Sequence, residues 1–254
     1  MHQICDNWPQ NKKVDCLITC GAFLSFDWPQ PLTDVGNNKY PSKESLDLLT
    51  DLAIKHCKLL IDEDLRKRLS KCTDYLTIGI DSYKSKISLS NVSIRQLHVE
   101  MVTLLDLKTN KYFLTGKSYP TPGQENGLVR FQDLKTHFVD LTIGKVLILG
   151  CHDLNVFSPR GKVTTKKEWR KQIRESLYSL IHKENPTIVL HHPHTTDSSR
   201  IWTPSWNELR RIAPSIERFL SAGRYFNNSN TRSRMEDVLT KTKFANTIDF
   251  IVNK

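Results

Sequence analysis

Residues 144–161 of the chain read GKVLILGCHDLNVFSPRG, an apolar run that turns polar at the letters CHD. The run predicts a buried strand over Lys145–Leu149, with Cys151 just beyond the end of that strand. A cysteine in this position is held rigidly at the edge of a sheet, where a nearby cation can favour its thiolate. The segment therefore favours Cys151 as a nucleophile; the alternative is a buried thiol followed by a polar loop.

The rest of the chain alternates predicted strands with predicted helices. Ser42 is a suitable N-cap for a helix from Lys43, whose apolar residues recur at three-to-four spacing until a break near Asp62. Hairpins, one of which turns at Gly144, alternate with isolated helices and predict an α/β layered sandwich with mixed sheets. The predicted strands are Val14–Leu24, Tyr75–Ile80, His98–Leu107, Lys111–Leu114, Phe138–Leu141, Lys145–Leu149, Thr187–Leu190, one around Phe219–Phe226 and Thr247–Val252. The predicted helices are Lys43 to about Lys71, Lys166–His182, Trp206–Ile212 and one around Met235–Lys241.

The composition is that of an ordinary folded protein. Of the 254 residues, 38% are hydrophobic and 25% are charged, which excludes a disordered or collagen-like chain. No apolar run approaches the roughly 18–20 residues of a membrane span, and the N-terminus MHQICDNWPQNKK lacks the apolar core of a secretory signal. Because no internal repeat or Gly/Ser linker is present, we expect a single domain over residues 1–254 and no membrane partner.

Charge and cysteine content bear on partners and cellular compartment. The 37 Lys and Arg exceed the 27 Asp and Glu, giving a net charge of +10, so nucleic acid or a nucleotide is one candidate partner. The basic residues are scattered rather than gathered in one block, which favours a basic domain that simply stays in solution. The six cysteines form no CxxC pair and no regular framework, which predicts reduced thiols and a cytoplasmic protein.

Two further strand ends carry chemically useful side chains. Lys117 directly follows the strand KYFLTG, Glu125 lies eight residues later, and Asp81 follows the strand YLTIGI. A sheet can bring such ends to one edge, where an acid serves as base, an ammonium stabilises an oxyanion and a thiol attacks. Taken singly, Lys117 would be a surface lysine, Asp81 a turn former and Glu125 a solvated acid.

The order of these segments resembles that of the nitrilase, or carbon–nitrogen hydrolase, superfamily. LTIGIDSY, YFLTGKSYPTPGQE and VLILGCHDL match the family's acid, lysine and cysteine segments. The similarity extends over roughly residues 14–226 and includes the hairpin before the lysine and the strand TIVLHHP with the Trp-bearing helix after it. It implies a layered α-β-β-α sandwich and a cysteine-dependent hydrolase of amides or nitriles that works through a thioester. It also implies no cofactor, a small-molecule substrate and a homodimer.

The resemblance further implies a role for each matching residue. Asp81 would be the proton-accepting acid, Lys117 the cation beside the oxyanion and Cys151 the nucleophile. Glu125 matches an additional glutamate of some members, and the backbone N–H of His152 would complete the oxyanion hole. The family has glutamate where this chain has Asp81, a difference that favours another interpretation, a catalytically silent member that serves as a binding subunit.

A histidine-rich segment supports a different class of function. TIVLHHPHTTDSSRIW, residues 187–202, places His191, His192 and His194 at the predicted end of a strand. Together with Asp153 they could ligate a divalent metal, and the positive net charge would suit a phosphodiester hydrolase or nuclease. Because HHxH lacks the helical HExxH spacing, histidines that hydrogen-bond at the rim of a pocket are an equal alternative.

The resemblance to nitrilases implies a different role for this region, which is to bind the substrate. His152, His192, His194 and Trp202 would then border the substrate pocket and shape its specificity. Arg224, in the predicted strand that contains SAGRYF, would bind a carboxylate or phosphate of the ligand through two hydrogen bonds. The alternative for Arg224 is an ion pair with an acid at the edge of the core.

Overall fold

The structure is a computed structural model that describes residues 1–29, 32, 35, 39–85, 96–159, 167–194, 199–223, 226–227 and 230–231. Its helices are α1 (His2–Asp6), α2 (Lys43–Leu60), α3 (Glu63–Leu69), α4 (Glu168–Glu184) and α5 (Ser199–Ile212), with short 3-10 helices at Leu134–His137 and Asp153–Phe157. Its strands are β1 (Val14–Ile18), β2 (Leu24–Phe26), β3 (Thr73–Ser82), β4 (Glu100–Asp106), β5 (Lys111–Gly116), β6 (Phe138–Leu141), β7 (Gly144–Gly150), β8 (Ile188–His192), β9 (Arg218–Ser221), β10 (Phe226–Asn227) and β11 (Asn230–Thr231). This content confirms the mixed α/β class expected from the sequence.

Two main sheets organise the molecule. The first has the order β1-β3-β4-β5, and β2 also pairs with β3. Its strand β4 runs antiparallel to both β3 and β5, whereas β1 and β2 run parallel to β3. The second has the order β6-β7-β8-β9, in which β7, β8 and β9 are parallel and β6 is antiparallel. Both sheets are thus mixed, as the alternation of hairpins and helices predicts.

The buried apolar side chains of the strands and helices form three separate clusters. The helices α2 and α3 pack on one face of the first sheet, and the helices α4 and α5 pack on one face of the second. The remaining faces of the two sheets pack against each other. This arrangement follows from the period of two along a strand, which gives each strand two buried faces. The residues between the sheets are Tyr75, Val102, Leu104, Val139, Val146, Ile148, Ile188 and Leu190.

Several local predictions are confirmed because they depend on neighbouring residues. The Ser42 hydroxyl accepts a hydrogen bond from the backbone N–H of Ser45 at 3.2 Å and caps α2. Asp62 interrupts the helical stretch and caps α3 in the same manner. Gly144, at φ +126°, turns the β6–β7 hairpin, and a Cβ there would lie 2.4 Å from the Thr187 hydroxyl.

The single strand predicted over Val14–Leu24 is wrong, since the structure divides it into β1 and β2. The intervening chain crosses closely over Gly79, where a Cβ would lie 2.3 Å from the carbonyl oxygen of Cys20. The N–H of Gly21 donates to the carbonyl of Pro193 at 2.9 Å, and Ala22 adopts a positive φ of 50°. A contact with the other sheet therefore interrupts a segment that is apolar and β-compatible by composition.

One other element differs from the sequence-based prediction in extent. The helix predicted over Trp206–Ile212 begins earlier, at Ser199. The predicted helix around Met235–Lys241, the predicted strand Thr247–Val252 and Arg224 lie outside the described residues. None of the helices within the described ranges is both long and apolar enough to span a bilayer.

Candidate active site

The ends of strands from both sheets supply the candidate site. Since β3 and β5 both run antiparallel to β4, the end of β3 and the end of β5 lie beside the start of β4. Asp81 pairs with Glu100 in the register of β3 and β4, and Lys117 directly follows β5. In the second sheet the parallel strands β7 and β8 end together, which places Cys151 and His194 near one another.

Lys117 is a buried ammonium held by two side chains. It is 1% exposed, and its Nζ donates to Glu100 Oε2 and to Gln124 Oε1, each at 2.7 Å. Gln124 Nε2 in turn donates to the second Glu100 oxygen at 2.5 Å. Burial raises the pKa of Glu100, but Lys117 and His98 outweigh this effect and hold that pKa well below its ordinary value. Glu100 and Lys117 therefore form a buried ion pair.

Cys151, His194 and Asp81 form a second, connected group. His194 Nε2 donates to Asp81 Oδ2 at 2.7 Å, and the backbone N–H of His194 donates to Cys151 Sγ at 3.3 Å. The imidazole of His194 also lies close enough to the thiol to lower the pKa of that thiol. Burial lowers the pKa of His194, but Asp81 and Cys151 outweigh burial and raise it to about 11. His194 is therefore an imidazolium between a carboxylate and a sulfur atom.

The thiol of Cys151 is strongly activated. Its side chain is almost buried, and burial alone would raise the pKa of the thiol. Hydrogen bonds and charge from His152 and His194 outweigh burial and lower this pKa to about 6. In contrast, burial raises the pKa of Cys16 to about 12 and that of Cys57 to about 11. At neutral pH Cys151 is consequently a thiolate, the form that acts as a nucleophile.

Asp153 fixes the turn that carries the thiol. One of its oxygens accepts the backbone N–H groups of Ser118 and Tyr119 at 3.1 and 3.0 Å, and the other accepts that of Gly150 at 3.0 Å. A Cβ on Gly150 would lie 3.0 Å from this carboxylate and 3.7 Å from the Cβ of Lys117. Asp153 thus binds the segment after β5 to the segment after β7 and brings Lys117 next to Cys151.

His191 and His192 have separate partners on opposite faces of β8. His191 Nε2 donates to the carbonyl of Cys151 at 3.2 Å, and its Nδ1 accepts from Ser221 at 3.0 Å. His192 Nδ1 donates to the carbonyl of Thr19 at 2.8 Å. Burial lowers the pKa of His191 to about 3 and that of His192 to about 4. Consecutive residues of a strand face opposite sides, so these two neutral side chains diverge.

The four residues of the sequence-based metal set are therefore not gathered around one point. Within the described ranges, the group with ligand-like spacing is instead Asp81, Glu100 and His194, whose ligand atoms lie within 4.8 Å of one another. Only His194 belongs to both sets. Trp202, expected at the rim of a substrate pocket, is fully buried and packs edge-on against His191 with ring centroids 5.1 Å apart.

The structure places Glu125 in a different ion-pair cluster. Its Oε1 accepts from Arg170 Nε and Nη2 at 2.9 and 2.7 Å, and its Oε2 accepts from Lys167. Burial raises the pKa of Glu125, but Lys167 and Arg170 outweigh burial and lower it. Glu125 connects its loop to α4, and the neighbouring Gln124 is the residue that contacts Lys117.

Sequence reasoning missed Glu100 and Gln124. One signal for Glu100 was present, because this carboxylate stands inside the apolar segment LHVEMVTLL that forms β4. A charged residue within a buried strand requires a partner, and such residues are rare enough to single out. Gln124 gave no comparable signal, since a glutamine in a polar loop is ordinary.

Comparisons with known proteins found similar solved structures but no similar sequence. No family model and no curated protein sequence match the chain. Twenty-two chains of solved structures are similar to it, among them the crystal structure of a cysteine-to-serine variant of an N-terminal amidase. That structure is 12% identical with a TM-score of 0.34, and the match covers 73% of this chain and 39% of that chain. The present chain thus spans about two fifths of the length of that amidase.

Proposed function

We propose that the protein is a nitrilase-like hydrolase that cleaves a carbon–nitrogen bond of an amide or nitrile through a thioester on Cys151. The observation that carries this proposal is the Cys151 thiol, whose pKa is about 6 although the side chain is only 6% exposed. A thiolate in such a buried position costs free energy unless neighbouring hydrogen-bond donors and cations stabilise its charge. Nucleophilic catalysis is the chemistry that requires a stabilised thiolate.

The fold agrees with the proposal. The two sheets face each other and carry helices on their outer faces, as a nitrilase-like α-β-β-α sandwich requires. Asp81 and Lys117 come from the first sheet, whereas Cys151 and His194 come from the second. Because the proposed site draws its residues from both sheets, we also propose that the chain acts as one domain.

The side chains around Cys151 can stabilise the transition state for acyl transfer. The thiolate attacks the carbon of the substrate, and negative charge develops on the carbonyl oxygen or nitrile nitrogen. Lys117, whose stem lies beside Gly150, and the backbone N–H of His152 are the groups proposed to stabilise this charge. Such preorganised donors act without reorganisation in a site that excludes water, and the loss of one costs about 10²–10³ in rate.

The proposal is tested by replacing the thiol. We expect Cys151→Ala to abolish ammonia or amine release from a panel of short amides and nitriles. In the wild type, intact-mass spectrometry should show an acyl adduct that maps to Cys151. The matched control is Cys16→Ala, since burial raises the pKa of that thiol to about 12 and its loss should leave turnover intact. Hydrolysis retained by Cys151→Ala would refute the proposal. A Cys151 thiol no more reactive than Cys16 at pH 7 would favour a silent binding subunit.

The metal-dependent alternative has weaker support from the geometry. In the group of Asp81, Glu100 and His194, both oxygens of Glu100 already accept from Lys117 and Gln124. A divalent cation would also lie close to the Lys117 ammonium, where the two positive charges repel each other. We therefore expect hydrolysis to survive dialysis against a chelator, and loss of activity that added metal restores would favour the metal-dependent alternative.

A further inference from the structure

We propose that His194 carries the proton of the Cys151 thiol and that Asp81 positions His194 rather than acting on the substrate. The inference rests on the proposed hydrolase function and changes its proton-transfer group. By resemblance to nitrilases, Asp81 was expected to accept the proton itself. The structure instead inserts an imidazole between that carboxylate and the sulfur.

The hydrogen bonds of His194 indicate which of its ring nitrogens exchanges a proton with Cys151. Its Nε2 donates to Asp81 Oδ2 at 2.7 Å, so Nδ1 is the ring nitrogen that remains to exchange a proton. Nδ1 is also the nitrogen nearer the main chain, and the main-chain N–H of His194 lies 3.3 Å from Cys151 Sγ. The short aspartate side chain therefore reaches the thiol through a ring that spans the gap.

The charged groups on neighbouring elements favour a protonated His194. Asp81 comes from β3, Glu100 from β4, and Cys151 from the turn after β7, and all three raise the pKa of the imidazole. The positive charge of Lys117 is bound to Glu100, and His152 acts on the sulfur, where it lowers the pKa of the thiol. The resting state is thus an imidazolium beside a thiolate, with Asp81 as the second anionic partner of the ring.

The other candidate bases are already committed to different contacts. Both oxygens of Glu100 accept from Lys117 and Gln124. His152 Nδ1 accepts from Asn155 Nδ2 at 3.1 Å, which leaves His152 with only an N–H to donate to the sulfur. Glu125 is occupied by Lys167 and Arg170. Among the described residues with these contacts, His194 is the group that is able both to give and to take a proton at the thiol.

The proton balance of amide cleavage closes with this assignment. The Cys151 thiolate forms a C–S bond, and the C–N bond breaks as the imidazolium gives its proton to the leaving nitrogen. The neutral imidazole then takes a proton from water while the hydroxide oxygen bonds to the thioester carbon. The C–S bond breaks, the acid leaves, and the thiolate and imidazolium are restored.

The test measures the thiol directly, without a known substrate. The rate of alkylation of Cys151 by iodoacetamide is followed against pH by mass spectrometry in the full-length protein. In the wild type the rate should rise through a pKa of about 6. In His194→Gln the thiol should titrate near its ordinary pKa of about 8.5, so alkylation at pH 6.5 should fall about 80-fold. Asp81→Asn should move the titration in the same direction by a smaller amount.

Two control variants separate His194 from the other histidines. His152→Gln keeps a hydrogen-bond donor beside the sulfur and should shift the thiol pKa less than His194→Gln. His182→Gln alters an exposed histidine at the end of α4 and should leave the titration unchanged. If His194→Gln does not fold, as judged by far-UV circular dichroism, the nearly isosteric Asp81→Asn variant carries the test.

The outcomes distinguish this inference from the proposed function. A thiol that still titrates near pH 6 in both His194→Gln and Asp81→Asn overturns the inference, and so does a larger shift in His152→Gln. Neither result affects the hydrolase proposal, which depends on Cys151→Ala. With an active substrate, His194→Gln should lower kcat by about 10²–10⁴ with little change in KM. Retained hydrolysis in Cys151→Ala would refute the function whatever the titration shows.

Discussion

Asp81 and Glu100 lie opposite each other on β3 and β4, yet their carboxyl groups titrate in opposite directions. Lys117 and His98 hold the pKa of Glu100 low, whereas burial and the charge of Glu100 raise the pKa of Asp81. Two neighbouring buried carboxylates are tolerated only when each has its own cationic partner. When the environments of two titratable groups shift their pKa values in opposite directions, the two groups take separate roles. Here Glu100 holds Lys117, and Asp81 holds His194.

The largest expected effect comes from removing the cation on the Glu100 side. Lys117→Met leaves a buried carboxylate without its partner, so we expect a loss of about 3–5 kcal/mol in the free energy of unfolding. Hydrolysis should also fall by about 10²–10³ because one oxyanion partner is lost. Urea unfolding at pH 7 measures the stability. The double variant Lys117→Met with Glu100→Gln should recover part of it, and no recovery would mean that the two groups are not coupled.

The pH dependence of stability should separate the two carboxyls. Glu100 has a lowered pKa, so its contribution is present above the unfolded value of about 4.3 and is lost as the pH falls through the folded value. Asp81 has a raised pKa, so its contribution is present below about 3.9 and is lost as the pH rises through the folded value. Glu100→Gln should therefore flatten the loss of stability below pH 5, and Asp81→Asn should steepen it. Urea midpoints between pH 3 and 5 give both slopes, and equal slopes in the two variants would contradict the assignment.

The smallest effect on catalysis is expected from Glu125, which the sequence placed in the site. Glu125→Gln weakens hydrogen bonds to Lys167 and Arg170, so the free energy of unfolding should fall by about 1–3 kcal/mol. The rate of hydrolysis and the titration of Cys151 should change by no more than a few-fold, as a substrate assay and the alkylation profile will show. A loss of about 100-fold or more in the folded variant would return Glu125 to the catalytic group.

Cysteines and histidines show why chemical character could not be predicted from residue type. Cys16, Cys57 and Cys151 are all poorly accessible, but burial raises the pKa of the first two thiols while hydrogen bonds lower that of Cys151. His191 and His194 stand three positions apart, and their pKa values are about 3 and about 11. The difference lies in the partners, because His191 faces backbone and hydroxyl groups and His194 faces a carboxylate.

The fold was predictable where the signal is local. The Ser42 cap, the break at Asp62 and the turn before Gly144 depend on residues a few positions apart, and the structure contains all three. The division of the Val14–Leu24 segment was not predictable. It depends on Gly79 and Pro193, which are close to this segment only in the folded chain.

By itself, the sequence determined that a lysine and a cysteine each follow an apolar strand, because hydrophobic periodicity depends on neighbouring residues. The acid Asp81 was expected just after its strand and lies instead within the end of β3. The tertiary structure alone decided which side chain each of them meets. Strand register set Glu100 against Asp81, and the path of one loop gave Lys117 the amide of Gln124 rather than the carboxylate of Glu125. The contact between Asp81 and His194 joins residues 113 positions apart. This last pairing depends on the packing of the two sheets, which no local sequence pattern predicts.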